Sequence, residues 1–210
     1  MAPQREVLVL GIGNILWADE GFGVRAVEAL NAAYAFPPQV ELIDGGTLGM
    51  YLLDMVCQSP QILIFDCVDF QAPAGTLRVL RDDEVKAWAA TKISPHQTGF
   101  NDVLAAAALR GYYPERLTVV GVQPEILDDY GGTLSATTRA RLTEAIELGL
   151  AELASWGVAA TPRGADNPAP RLNTQALDLE TYERERPSPE AACRSGDDRF
   201  IAHRLKQEQR

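Results

Sequence analysis

The stretch VLVLGIGNILWADEGFG, residues 7–23, decides the fold. Residues 7–10 form a continuous apolar run that ends in glycine, as a strand buried on both faces does. Residues 22–35 carry Val24, Val27, Leu30 and Tyr34 on one stripe at helical spacing. Strand, glycine turn and helix together open a βαβ unit. Gly11 and Gly13 stand where the first two glycines of a dinucleotide-binding GxGxxG turn would stand, but Leu16 occupies the third place. Trp17 would crowd a pyrophosphate, and Asp19 and Glu20 would repel one. The turn is therefore read as presenting a carboxylate to a cation. Glu20 is taken as that ligand and Asp19 as the cap of the following helix, although spacing alone allows the reverse.

Outward from this turn, strand and helix signals alternate through residue 160. Strands are expected at 40–43, 62–65, 76–80 and 117–122, and helices at 48–56, 82–89 and 101–110. Ser135 can cap a long last helix that aligns Leu142, Ile146, Leu150 and Leu153. The alternation predicts an α/β fold of three layers, a mostly parallel twisted sheet of about five strands between helices. Ligands of such folds bind at the carboxyl ends of the strands. Asn14 and Glu20 follow strand one, Asp44 strand two and Asp66 strand three, so all are expected at one crevice.

Composition changes near residue 160. Residues 161–210 hold five prolines, no valine, one isoleucine, nine basic and nine acidic side chains. Such a segment buries too little apolar surface to offset its ordering entropy. The chain is thus divided into a domain at 1–160 and a polar tail at 161–210, expected to be mostly disordered. The tail is neutral, so the net charge of −10 resides in the domain. That charge argues against nucleic acid or an anionic membrane as partner. No apolar run is long enough to span a bilayer and no signal peptide is read, so no membrane insertion and a cytoplasmic location are expected. Three cysteines, Cys57, Cys67 and Cys193, without a CxxC pair point to free thiols rather than a disulfide framework or structural zinc site.

The remaining polar feature is KISPHQTG, residues 92–99, which places His96 in a loop before a helix. Taken singly, Glu20 reads as a first-turn glutamate, Asp66 as a turn residue and His96 as a solvated histidine. Taken together, two carboxylates and an imidazole converge on one strand-end crevice. Unpaired carboxylates at close range raise at least one pKa, and a divalent cation removes that cost. An O, O, N donor set with open positions suits zinc, nickel, manganese or a similar ion.

GIGNILWADEGFGVRAVEAL, ELIDGGTLGMYLL, LIFDCVD, GTLRVLRDDEV, KISPHQTGFNDVLAAAAL and LTVVGVQPE occur in this order. Over residues 6–160 the set resembles the maturation endopeptidases of nickel–iron hydrogenases, most closely the type serving membrane-bound uptake hydrogenases. The resemblance implies a twisted sheet between helices and a peptidase of the aspartic-type grouping. Its implied activity is removal of the C-terminal extension of the hydrogenase large-subunit precursor after nickel insertion. It also implies a metal cluster of Glu20, Asp66 and His96, and it directs attention to Asp44 in DGGT for catalysis or substrate contact. The implied ion is nickel, carried by the substrate itself; a resident zinc or other divalent ion is the alternative. Asp66 or Asp44 would act as general base on water. The implied protein partner is the large-subunit precursor, and the enzyme is expected to be a monomer.

No GxSxG motif is present, and Cys67 has no second histidine in the folded part to activate it. Two other functions stay open on the residues alone. One is a nickel-binding chaperone that does not hydrolyse its partner. The other is a dinucleotide-dependent oxidoreductase with Asp44 on a ribose hydroxyl, which would have to tolerate Leu16 and Trp17 against a pyrophosphate.

Overall fold

The computed structural model of the chain describes residues 5–91, 95–164 and 166–188, with side chains described except at 88–91 and 95–99. Chain packing divides it into two units, Met1–Gln175 and Ala176–Arg210. In the first unit β1 (Val7–Ile12) leads into α1 (Phe22–Ala33), then β2 (Tyr34–Ala35), β3 (Val40–Gly46), α2 (Leu53–Cys57) and β4 (Gln61–Cys67). There follow β5 (Leu77–Arg81), α3 (Asp83–Thr91), α4 (Pro95–Leu109), β6 (Arg116–Val122), α5 (Ala136–Arg139), α6 (Leu142–Ser155) and β7 (Thr161–Pro162). The described part of the second unit contains α7 (Leu179–Glu185).

The main sheet has strand order β3-β1-β4-β6-β5, parallel except for β5, which runs antiparallel to β6. This is the three-layer α/β fold expected from the alternation. All six residues of β1 are buried, which explains their unbroken apolar character. Leu8, Leu10, Ile62, Ile64, Leu117 and Val119 face one core, with Val56 of α2 and Val103, Leu104 and Ala107 of α4. Val7, Val9, Leu63, Phe65, Val120 and Val122 face the other, with Phe22, Val27 and Leu30 of α1 and Leu153 of α6. From β1 the chain goes first to β3 on one side and then to β4 on the other. The crevice between the ends of β1 and β4 is therefore the topological switch point, where ligands of open α/β sheets bind.

Several boundaries differ from the sequence expectation. The helix expected at 101–110 begins at Pro95, so His96 belongs to the first turn of α4 rather than to a loop. Proline suits that position because it has no N–H to leave unpaired. The long last helix is two helices. Ser135 Oγ accepts from Thr138 N–H and caps only α5, and α6 starts afresh at Leu142. The helix expected at 48–56 opens with a 3₁₀ turn, Gly49–Leu52, before α2.

The polar stretch beyond residue 160 continues the first unit as far as Gln175. Thr161–Pro162 pairs antiparallel with Tyr34–Ala35. Arg163 Nε donates to the carbonyls of Asn31 and Tyr34, both at 2.9 Å. Leu172 packs on the α1-side core. Hydrogen bonds to main-chain groups hold this segment in place of a large apolar face, which is why composition alone assigns it no place in the domain.

Candidate active site

Gly13 bends the chain at the end of β1. Its φ is +133°, and a Cβ there would lie 1.8 Å from the carbonyl oxygen of Glu20. Only glycine lets the 3₁₀ turn Ala18–Gly21 fold back this closely. Asn14 Oδ1 accepts from Leu16 N–H at 3.0 Å and tightens the same loop. The close helix–strand packing of a third fingerprint glycine is supplied by Gly23, in α1. A Cβ there would lie 2.1 Å from the Phe65 carbonyl oxygen and 2.3 Å from that of Ile12. The pattern LGIGNIL searched at fixed spacing conceals this, because the inserted turn displaces the glycine along the chain.

Asp19 does not cap α1, whose N-terminus carries no side-chain cap. Its carboxylate is fully buried and accepts from four donors across the crevice. These are the N–H groups of Glu125 and Ile126 at 2.9 Å, Ser135 N–H at 2.7 Å and Ser135 Oγ at 3.0 Å. Asp19 therefore clamps the glycine loop to the segment after β6. Asp19 N–H donates to the Ile126 carbonyl and Gly131 N–H to that of Leu16. Trp17 bridges to Tyr130, with ring centroids 5.2 Å apart in an edge-on arrangement. Glu20, the next residue of the turn, is half-buried.

Asp66 reaches the same place from β4. It continues the alternation of Ile62 and Ile64 and so lies on the α2/α4 face of the sheet. It is 8% exposed. Burial pushes its pKa up to about 8, against the opposing hydrogen bond from Cys67 N–H at 2.8 Å, and the negative charge of Glu20 adds to the rise. The charge of Glu20 is thus felt at Asp66, so the glycine turn and the end of β4 present acids on the same rim of the sheet. Among the described residues no cation is paired with Asp66. That donor chemistry fits a divalent cation.

Asp44 is brought elsewhere. It pairs in register with Gly11, and with Val40 and Leu42 it lies on the α1 face, opposite to Asp66. Its carboxylate accepts from Asn173 Nδ2 at 3.0 Å. His96 has its backbone in α4, which packs against α2 on the face that carries Asp66. The strand after α4 starts beside Gln61, at the far end of the sheet, so α4 runs antiparallel to the strands and its first turn lies toward their carboxyl ends. The side chain of His96 is outside the described residues, as is Cys193.

Cys57 and Cys67 form no disulfide. Burial pushes the Cys67 thiol up, and Asp66, Asp19, Glu20 and Asp69 push it further. A thiol held in its protonated form is a poor nucleophile, so the cysteine-peptidase reading has no support. After β3, Leu52 and Leu53 are core, whereas Met50 and Tyr51 are exposed. Leu16, Leu48, Ile126, Leu127 and Tyr130 are also exposed, and all lie in loops that follow β1, β3 or β6.

The fold and crevice define an α/β domain organised around paired acids, with the Trp17–Tyr130 bridge lying over the loop that a dinucleotide-binding domain would leave open. Residues 24–152 match the family HycI, hydrogenase maturation protease. The chain is 49% identical over 201 residues to the hydrogenase expression/formation protein HoxM of Cupriavidus necator, covering 95% of this chain and all of that one. It is 54% identical over 197 residues to HupM of Azotobacter chroococcum, covering 93% of each. The solved structure of the hydrogenase maturating endopeptidase HybD from E. coli superposes with a TM-score of 0.72 at 45% identity, covering 78% of this chain and 100% of that one. The chain belongs to the hydrogenase maturation protease family and is an endopeptidase of that family. The chaperone and oxidoreductase readings give way to hydrolysis.

Proposed function

We propose that this endopeptidase removes the C-terminal extension of a nickel–iron hydrogenase large-subunit precursor, and that it does so after nickel has entered the precursor. Glu20, Asp66 and His96 would hold the nickel carried by the substrate, and docking on that ion would set the scissile bond against the crevice. The observation that supports this reading is Asp66, buried at the carboxyl end of β4 and pushed up to about 8, within electrostatic reach of Glu20 and with no cation paired with it among the described residues. The exposed Met50, Tyr51 and Tyr130 around the strand ends suit a protein substrate.

Asp66 is the better placed general base, because it shares the crevice with Glu20 while Asp44 is turned to the other face. Asp66 would take a proton from water as the C–O bond forms, then return it to the amine nitrogen as the peptide C–N bond breaks. Nickel held beside Asp66 would favour its ionised form, the form that can take a proton from water. Asp44 would serve at the edge of the site in substrate contact. On this reading the enzyme works as a monomer in the cytoplasm.

The test is cleavage of nickel-loaded and nickel-free precursor by purified protein, followed by mass spectrometry. A shortened product from the loaded precursor alone is expected. Equal cutting of the nickel-free precursor would overturn the requirement for nickel. Chelation of the enzyme before mixing separates substrate nickel from a resident zinc, since activity that survives chelation rejects the zinc.

A further inference from the structure

Asp44 is not left to choose its own rotamer. Asn173 Nδ2 donates to Asp44 Oδ2 at 3.0 Å and to Glu28 Oε1 at 2.5 Å. A carboxamide nitrogen carries two hydrogens, so one can go to each carboxylate. Glu28 also receives the guanidinium of Arg25 at 2.8 Å, and Arg25 is nearly fully buried. Asn173 thus links the end of β3 to α1 by bridging two acids that would otherwise repel.

Asn173 is held there by a built strap. The segment 161–173 begins with the short antiparallel pair of β2 and β7. Arg163 fastens it to the last turn of α1, and Asn31 of α1, 8% exposed, donates to the Pro170 carbonyl at 2.7 Å. Leu172, next to Asn173, packs on the core. The whole of the E. coli HybD chain is matched by 78% of this one, so this chain is the longer of the two.

We infer that Asn173 is a positioning residue for Asp44: the polar C-terminal strap orients the β3-end carboxylate and acts on precursor cleavage through it. This rests on the place given to Asp44 under the proposed function. The strap is then part of the substrate site.

The test uses the full chain with Asn173→Ala, Asp44→Asn and the double variant, each assayed on nickel-loaded precursor for kcat and KM and melted in parallel. Asn173→Ala is expected to lower kcat/KM about tenfold, the size of one charge-assisted hydrogen bond. Its melting temperature should fall by no more than several degrees, so that cleavage is compared at a temperature where both proteins are folded. In the Asp44→Asn background, Asn173→Ala should have no further effect, because its partner is gone. Asn173→Leu fills the same space without donors or a third negative charge, and it should reproduce the loss if the alanine variant folds poorly. Multiplying effects in the double variant, or unchanged cleavage by Asn173→Ala, would overturn the inference and leave the Glu20–Asp66 reading intact. Unchanged cleavage by Asp44→Asn alone would remove Asp44 from the site and the inference with it.

Discussion

Asp66 and Glu152 expose similarly little area, 8% and 7%, but Asp66 lies deeper among protein atoms, and their acidities move in opposite directions. They sit at opposite ends of the sheet, Asp66 at the carboxyl end of β4 and Glu152 on α6 beside Thr118, near the start of β6. Burial pushes Glu152 upward, but the Arg81 hydrogen bonds at 2.8–3.2 Å, the Thr118 hydroxyl at 3.0 Å and the Arg81 charge outweigh it and leave the pKa lowered. Asp66 has one backbone N–H and a second negative charge nearby, and its pKa rises to about 8. The fold has the means to satisfy a buried acid, and it applies them at one rim and withholds them at the other. Depth alone does not mark the active end, since a cavity of about 500 Å³ lined by Arg81, Arg116, Glu152 and Trp156 opens at the Glu152 rim. The informative signal is an acid buried beside another acid.

The largest effect expected is on turnover. Asp66→Asn should lower cleavage of nickel-loaded precursor about 10²–10⁴-fold, the range for loss of a general base, while the chain stays folded. Cleavage close to the wild-type rate would break the contrast between the two rims.

The same substitution should show the cost of the buried charge. The folded pKa of about 8 lies above the ordinary 3.8, so the folded chain holds a proton that the unfolded chain releases. Wild-type stability without metal should therefore fall as pH rises from about 4 to 8, relative to Asp66→Asn. The gap is expected to be on the order of 3–5 kcal/mol at the top of that window and absent at its bottom. Denaturant titrations of both proteins across that range check the sign.

Asp19 sharpens the comparison as a third kind of buried acid, satisfied by four neutral donors. Asp19→Asn turns an amide toward N–H groups and should cost about 2–3 kcal/mol in denaturant unfolding. Glu152→Gln should cost least, about 1 kcal/mol at pH 7, because Arg81 is half exposed and water screens the pair. The contribution of Glu152 is present above the ordinary glutamate range and is lost as pH falls through its lowered pKa, so the two proteins should converge in acid. Cleavage per folded molecule should be unchanged, since this pair lies at the rim away from the crevice.

The strand ends that carry acids are legible in the sequence: the apolar run at β1, the glycine turn and the acids after β1 and β4 all locate the carboxyl rim of the sheet. The role of Asp19 was misread because a helix cap is a local explanation, whereas its four donors lie more than a hundred residues onward. Asp44 was assigned to the shared crevice by the rule that strand ends converge. That rule locates a rim but not a face, and side-chain alternation along β3 sends Asp44 to the α1 side. The division at residue 160 followed apolar content, which is blind to a strap held by main-chain hydrogen bonds.

By itself the sequence determined the layers and the strand ends that carry acids, because apolar period and glycine turns are local properties of the chain. Only the tertiary structure decided which acid is clamped, which is left to share its charge with a neighbour and which is handed to Asn173. Those outcomes depend on donors brought from distant segments, and no spacing along the chain records them.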